Sequence, residues 1–261
     1  MVDMDNILNL QPEEKKIVIP AESEVLLIDR PAPGMIPEVR AISMGPGAKV
    51  QYVLVADEFS DGGRDVDIAD GHMRRDFEVG DGANVEVYYV FLGGGHSEWH
   101  LNHEIGAGAK LQSRSLFVGK GDDALEVNAD YNFIGRKSFG RVQVDAILNN
   151  QARLRYDANM NVTREAQLSD TRVDMRLRLN DKEARGRITP ALNISANDVK
   201  AGHSASTYQL SVEDLFYLRS RGLEPEAVRK LLAISLSRNF IRNLSDAQTA
   251  SEILALIESR I

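Results

Sequence analysis

Short runs of β-branched and aromatic residues, separated by glycine-rich turns, fill the chain from about residue 15 to residue 200. Seven of these runs have the length and composition of β-strands: KIVIP, EVLLID, KVQYVLVAD, NVEVYYVFL, KLQSRSLFV, RVQVDAIL and RVDMRLRL. Hardly any segment before residue 200 has a helical period. The chain is therefore predicted to be mainly β in this region.

Three of the turns resemble one another. Residues 45–49 (GPGAK), 80–84 (GDGAN) and 106–110 (GAGAK) each lead straight into a predicted strand, and they begin 35 and 26 residues apart. A solenoid coil needs two to three strands per interval, and each coil stacks its apolar face on the next. A β-sandwich also has many short strands and glycine turns. The spacing favours a solenoid and leaves the sandwich open.

The pattern changes after residue 206. The segment VEDLFYLRSR reads as a helix that ends at Gly222, and Pro225 is well placed to begin a second helix. The second helix has an apolar stripe formed by Val228, Leu231, Leu232, Leu236, Phe240 and Leu244. A third helix is predicted after Ser245, with one apolar face formed by Ala250, Ile253, Leu254, Ile257 and Ile261. We therefore divide the chain into a β body, residues 1–206, and a helical segment, residues 207–261.

The composition excludes several functions. The 261-residue chain has a net charge of −8, which argues against a nucleic-acid partner. It has no apolar run of the roughly 18–20 residues that a membrane span requires, and its polar, acidic beginning does not resemble a signal peptide, so a cytoplasmic location is expected. With no cysteine, the chain can form neither a disulfide, nor a thiolate ligand, nor a persulfide.

The densest group of histidines lies in the segment GGGHSEWHLNHE. If this segment is a strand, alternation separates His103, on the apolar face, from His100 on the other. His96, Glu98 and His100 could still meet as metal ligands if the strand begins late. We favour the simpler interpretation of polar residues on a solvated strand face.

The sequence contains no G-x-S-x-G elbow and no phosphate-binding loop, so this chain is expected to bind and hydrolyse no nucleotide itself. An enzyme hypothesis remains, because β-helical enzymes act on polysaccharides through acidic and basic residues on a coil face. The alternating charges of residues 170–178 could form such a face. Cross-strand ion pairs explain the same pattern without catalysis.

Residues 179–232 contain two further motifs. The first is Pro190-x-Leu-x-Ile-x-Ala-x-Asp-Val-Lys-Ala-x-His203-x-Ala205, and the second is LFYLRSRG, residues 215–222. Together with Asp181 and Arg185, they closely resemble the C-terminal core of the SufB/SufD family, the scaffold proteins of the Suf iron–sulfur cluster assembly system. The resemblance covers about 60 residues.

The resemblance implies a right-handed parallel β-helix followed by short helices. It also implies a scaffold and not an enzyme, with dimerisation through the β-helix, here as a homodimer, and with docking of a SufC-like ABC ATPase. The residues that would form or flank the docking helices are Phe216, Tyr217, Leu218, Arg219, Arg221 and Gly222. His203 would lie near the dimer interface, where an iron–sulfur cluster or iron is assembled.

The chain departs from the family pattern in two ways that bear on chemistry. Ala201 stands where relatives often have cysteine, and Ser204 stands where the SufB pattern has glutamate. A neutral imidazole is a sound iron ligand, but one histidine per subunit cannot complete a site. Asp198 is the candidate second ligand, and Lys200 is assigned a structural or electrostatic role. The alternatives are the polysaccharide-active enzyme and a paralogue that keeps the ATPase contact but never holds a cluster.

Overall fold

Fifteen strands followed by three helices form the described part of the chain. The computed structural model describes residues 6–31, 38–57, 73–93, 95–209 and 212–260. The odd-numbered strands are β1 (Ile7–Leu10), β3 (Glu24–Asp29), β5 (Lys49–Ala56), β7 (Asn84–Phe91), β9 (Lys110–Gly119), β11 (Phe139–Leu148), β13 (Asp170–Leu179) and β15 (Lys200–Gln209). The even-numbered strands are β2 (Lys16–Ile19), β4 (Glu38–Met44), β6 (Met73–Val79), β8 (His96–Ile105), β10 (Ala124–Phe133), β12 (Arg153–Val162) and β14 (Arg185–Ile194). The helices are α1 (Val212–Ser220), α2 (Pro225–Ile241) and α3 (Ala247–Arg260).

The strands form a parallel β-solenoid. In the described residues, odd-numbered strands follow one another in an eight-stranded sheet and even-numbered strands in a seven-stranded sheet. Each coil thus adds one strand to each sheet, and Ala124 of β10 lies beside both His96 of β8 and Arg153 of β12. The sequence prediction of a solenoid followed by a helical segment is confirmed, and the sandwich is wrong, because all of these neighbouring strands run parallel.

The glycine turns stack on one another because one residue in each is left-handed. Gly47, Gly82 and Gly108 have φ between 64° and 69°. The N–H of Gly47 donates to the carbonyl of Asp81 at 2.9 Å, and that of Gly82 donates to the carbonyl of Ala107 at 2.8 Å. The same position is filled in later coils by Lys137 and Leu168, which are left-handed without being glycine. These bonds satisfy the turn N–H groups and fix the spacing of the coils.

The interior between the two sheets is apolar over most of its length, with rings that stack along the axis. The rings of Phe77 and His103 lie 4.8 Å apart and nearly parallel, and the ring of Tyr131 lies 4.5 Å from that of His103 on the other side. Trp99 meets Phe91 edge to face at 5.4 Å. Because successive coils contribute these rings, the core is continuous from one coil to the next.

A buried charged cluster replaces this apolar filling near the N-terminal end. The carboxylate of Asp29, fully buried on β3, accepts from Nη1 of Arg40 at 2.6 Å and from Nε of Arg75 at 2.7 Å. It also accepts from the hydroxyl of Tyr52, whose pKa burial raises well above its usual value. Arg40 additionally donates to the carbonyl of Gln11 at 2.9 Å. These four side chains form what we call the Asp29 cluster: Asp29, Arg40, Tyr52 and Arg75.

His103 is buried in the core as the neutral imidazole. Nδ1 lies 3.1 Å from the carbonyl of Asp130, which can only accept, so Nδ1 carries the proton. Nε2 therefore accepts from the hydroxyl of Tyr89 at 2.8 Å. Burial lowers the pKa of His103 to about 4, against its usual 6.5.

This histidine makes stability depend on pH. Between pH 6.5 and 4 the unfolded chain binds a proton at residue 103 that the folded chain excludes, so the free energy of unfolding should fall by about 1.4 kcal/mol per pH unit as the pH decreases. Urea unfolding of His103→Gln across this range should show a smaller slope than wild type. His100→Gln, which removes a histidine from a half-buried outer position, is the comparison variant. Equal slopes for wild type and His103→Gln would contradict the assignment.

The helical segment folds back onto the first coils of the solenoid. Phe240, Ile241, Ile253 and Ile257 are buried against the outer face of the eight-stranded sheet. The sheet residues beneath them belong to β3, β5, β7 and β9 and the residue after β7: Leu26, Ile28, Val53, Val55, Tyr88, Val90, Leu92, Leu116 and Val118. The predicted apolar face of the third helix is confirmed for Ile253 and Ile257, and Ile261 lies outside the described residues.

Polar bonds anchor the same helices. The side chain of Gln51 on β5 donates to the carbonyl of Asn243 at 3.0 Å and accepts from the N–H of Ser245 at 2.9 Å. Arg260, at the end of α3, forms an ion pair with Asp123 at 2.8 Å and donates to the carbonyl of Leu92. Both ends of α3 are therefore fixed to the solenoid.

Candidate functional site

The C-terminal end of the solenoid is open. On β13 the inward-facing Val173 and Met175 are fully buried, whereas every residue of β15 is exposed except the half-buried Gly202. On β14 the inward row is only half-buried at Ile188 and Leu192, and Ile194 is exposed. Pro190, in the middle of β14, has no N–H to donate, which is tolerated in an edge strand. In the part of the chain that the structure describes, no strand lies beyond β14 or β15 in its sheet.

His203 lies in this open end. It pairs in register with Val173, so its side chain belongs to the inward-facing row of the sheet, yet it is exposed because no further coil covers it. The neighbouring Ser204 faces outward and donates to Asp174 at 2.6 Å. Hydrogen bonding from Arg172 is the main reason that the pKa of Asp174 lies below its usual value.

Asp198 lies in the turn before β15 and ends the turn ladder. Its carbonyl accepts from the N–H of Leu168 at 2.6 Å, and its N–H donates to Gln167 at 3.0 Å. Because a strand rises about 3.3 Å per residue, the Cα of His203 lies about 10 Å along β15 from that of Lys200. Asp198 precedes Lys200, so the two predicted ligands lie far apart within one chain. They remain predictions, and a shared site would need a second chain.

The three histidines of the segment GGGHSEWHLNHE do not form a metal site in the described residues. β8 begins at His96, so His96, Glu98 and His100 share the outer face and His103 lies inside, as alternation predicts. Nε2 of His100 lies 3.3 Å from Oε1 of Glu98. No three metal-binding side chains come together anywhere in the described residues.

Four of the five charged residues of β13 are engaged in ion pairs, and the fifth, Arg178, lies over the ring of Tyr208. Arg172 binds Asp174 at 2.8 Å, and Arg176 binds Asp145 of β11 at 2.7 Å. Asp170 accepts from Arg141 at 2.8 Å. These contacts favour the structural interpretation of residues 170–178 and weaken the polysaccharide-enzyme alternative.

Helices α1 and α2 present apolar side chains to solvent. Phe216 is 75% exposed and Tyr217 is 56% exposed. Arg221 lies over the ring of Tyr217 at 5.3 Å, and Gly222, with φ of 79°, ends the first helix as predicted. Leu231 of α2 is also 56% exposed, so the predicted apolar stripe of that helix is not continuous. We call Phe216, Tyr217 and Leu231 the exposed helical patch.

The two other residues of the predicted docking motif are less prominent. Leu218 is half-buried, and its carbonyl accepts from the N–H of Leu223 at 3.1 Å. Arg219 is exposed and lies 3.9 Å from Glu224. Both lie in the last turn of α1, directly after Tyr217 in the sequence.

A comparison with protein-family models agrees with this architecture. The model described as "SUF system FeS cluster assembly, SufBD core domain" matches residues 4–235. The chain belongs to the SufBD core domain family. Members of this family are iron–sulfur cluster assembly proteins.

Individual relatives of this SufBD core domain are distant. The iron–sulfur cluster assembly protein SufD of Bacillus subtilis is 22% identical over 60% of the chain and 36% of its own length. SufD of Escherichia coli is 28% identical over 44% of the chain and 27% of its own length. A SufBD family protein of Synechocystis is 35% identical over 33% of the chain and 19% of its own length. The chain thus spans about a third or less of these curated relatives.

Sequence reasoning missed how the helical segment of this SufBD core domain is held. Gln51, Asp123 and Arg260 had no distinguishing pattern. One signal was present: the runs VLLI, YVLVA and YYVF are continuously apolar, which is typical of strands covered on both faces. Among the described helices of this SufBD core domain, none is long and apolar enough to cross a membrane.

Proposed function

We propose that this protein is a scaffold for iron–sulfur cluster assembly that pairs with a second copy through its open solenoid end and binds a SufC-like ABC ATPase through the exposed helical patch. The cluster is the cargo of the pair. ATP hydrolysis belongs to the ATPase, whose movement would reshape the interface between the two copies.

The observation that carries this proposal is the difference between the two ends of the solenoid. Toward the N-terminal end the inward-facing side chains are buried and paired with one another within the chain, as in the Asp29 cluster. At the C-terminal end, by contrast, small or apolar residues of the inward row are exposed at Ala201 and Ala205 and only half-buried at Leu192. An uncapped solenoid end of this kind is expected to be covered by a partner.

An asparagine ladder supports a continuing contact at the same end. On the outer face of the seven-stranded sheet, Asn132 donates to Asn102, Asn161 to Asn132 and Asn193 to Asn161, each at 2.8 Å. Asn193 is exposed on the edge strand β14. Its side-chain oxygen is thus available to a donor from a second chain.

His203 is the residue that we assign to the cargo. Two copies related by a two-fold axis would bring two exposed imidazoles to the interface between them, one from each chain. Without cysteine, the remaining ligands have to be carboxylates such as Asp198, or sulfide itself. Sulfur must reach the site from another molecule, because the chain cannot carry a persulfide.

The exposed helical patch can be tested by co-purification with the ATPase. Phe216→Ala combined with Tyr217→Ala should weaken the complex at least about tenfold, because exposed aromatic side chains are typical anchors of interfaces. The affinity is best measured by calorimetry between purified proteins. Fold stability should change little, since both side chains are already in solvent.

The matched control is Val18→Ala, which removes an exposed apolar side chain (64% exposed) at the other end of the solenoid. It should bind the ATPase as wild type does. If the double variant binds with unchanged affinity, the docking assignment is wrong.

A further inference from the structure

Four arginines form a compact block on the outer face of the seven-stranded sheet. Arg153 and Arg155 lie on β12, and Arg185 and Arg187 lie beside them on β14. Arg153 pairs in direct register with Arg185, and Arg155 with Arg187, so each guanidinium has a like charge on the neighbouring strand about 4.8 Å away at the backbone. All four side chains are exposed. We call these residues the arginine block.

The block is poorly neutralised within the chain. The two carboxylates within ion-pair distance of the block both pair with Arg155: Asp157 at 2.9 Å and Glu126 at 3.9 Å. Arg185 donates to the carbonyls of Lys182 and Ala184. In the residues that the structure describes, no carboxylate lies within ion-pair distance of Arg153, Arg185 or Arg187.

In the eight-stranded sheet, by contrast, surface arginines are paired with carboxylates. There, Arg141, Arg172 and Arg176 are each paired with an aspartate within 2.8 Å. Like charges placed directly opposite each other on neighbouring strands are destabilising. The protein therefore neutralises these three arginines on β11 and β13 but leaves a positive block on β12 and β14, against a net charge of −8.

We propose that the arginine block is a docking surface for a partner protein that presents an acidic segment. The block is exposed, and alternate residues along a strand are about 6.6 Å apart, so it suits carboxylates spaced along an extended chain. Its charge is opposite to that of such a segment, which gives fast, salt-dependent association. The proposal rests on the proposed function in one respect: the partner is the protein that delivers sulfur or iron to the neighbouring open end.

The test uses the full chain and a fluorescent eight-residue peptide in which glutamate alternates with threonine. Fluorescence anisotropy at low salt should show binding that weakens as salt is added. Arg153→Gln combined with Arg187→Gln should reduce the affinity about tenfold. The control, Arg141→Gln combined with Arg172→Gln, removes one half-buried and one exposed arginine, both of them paired, and should stay within about twofold of wild type.

Three outcomes would overturn the proposal. One is equal loss in both double variants, and another is tripolyphosphate binding more tightly than the peptide, which would indicate a free-anion site. The third is dissociation of the dimer in the variant Arg153→Gln with Arg187→Gln, which would make the arginine block part of the interface between the two copies. The peptide assay needs neither iron nor ATPase, so it can fail while the scaffold function holds, and it can succeed while the scaffold function fails.

Discussion

Replacing Asp29 with alanine should lower the free energy of unfolding by about 3–5 kcal/mol, because it removes the anion shared by two buried guanidiniums. Arg40 and Arg75 are almost fully buried, so solvent cannot replace the carboxylate. The hydroxyl of Tyr52 also loses its acceptor. Urea unfolding followed by circular dichroism at neutral pH measures the change.

The control is Asp174→Ala. Asp174 also binds an arginine at 2.8 Å, but this pair lies at the surface, with 49% of the Arg172 side chain and 37% of the Asp174 side chain exposed. Exposed pairs contribute about 0–1 kcal/mol, so this variant should unfold near wild type. If Asp29→Ala is no more destabilised than Asp174→Ala, the Asp29 cluster does not stabilise the N-terminal end.

Ala205→Asp should weaken the proposed homodimer by at least about a hundredfold in affinity. Ala205 pairs in register with Met175, so its side chain belongs to the inward-facing row at the open end. A carboxylate at this position would be buried without a partner in the interface between the two copies. In the isolated subunit residue 205 is exposed, so the fold should be retained. Sedimentation equilibrium gives the dissociation constant, and thermal unfolding checks the fold.

Ser206→Asp adds the same charge one residue further along the strand. Ser206 pairs with Arg176 on the outer face, away from the open end. This variant should remain a dimer. A wild-type protein that is monomeric, or an Ala205→Asp variant as dimeric as Ser206→Asp, would contradict pairing through the open end.

The sequence predicted the solenoid because glycine turns and strand-length runs are local signals. Gly47, Gly82 and Gly108 mark the left-handed turn position in the sequence. Lys137 and Leu168 occupy the same position without glycine, so their coils could not be delimited from composition. There the stacking hydrogen bonds of the neighbouring turns, and not the residue type, fix the conformation.

The candidate site was only partly predictable for a related reason. His203 and Phe216 could be singled out by the family motif, which is a local pattern. The Asp29 cluster and the anchoring of α3 by Asp123 and Arg260 join residues that are far apart in the chain. No local period encodes such pairings, and only the three-dimensional structure brings them together.

The most direct test of the scaffold assignment is anaerobic reconstitution with ferrous iron and sulfide, followed by metal analysis of the separated dimer and monomer fractions. Wild type should hold iron and sulfide in the dimer fraction, and both His203→Ala and Ala205→Asp should lose most of it. His100→Ala, which removes a histidine from the outer face, should retain it. Iron retained equally by His203→Ala, or bound by the monomer fraction alone, would contradict cluster assembly at the interface between two open solenoid ends.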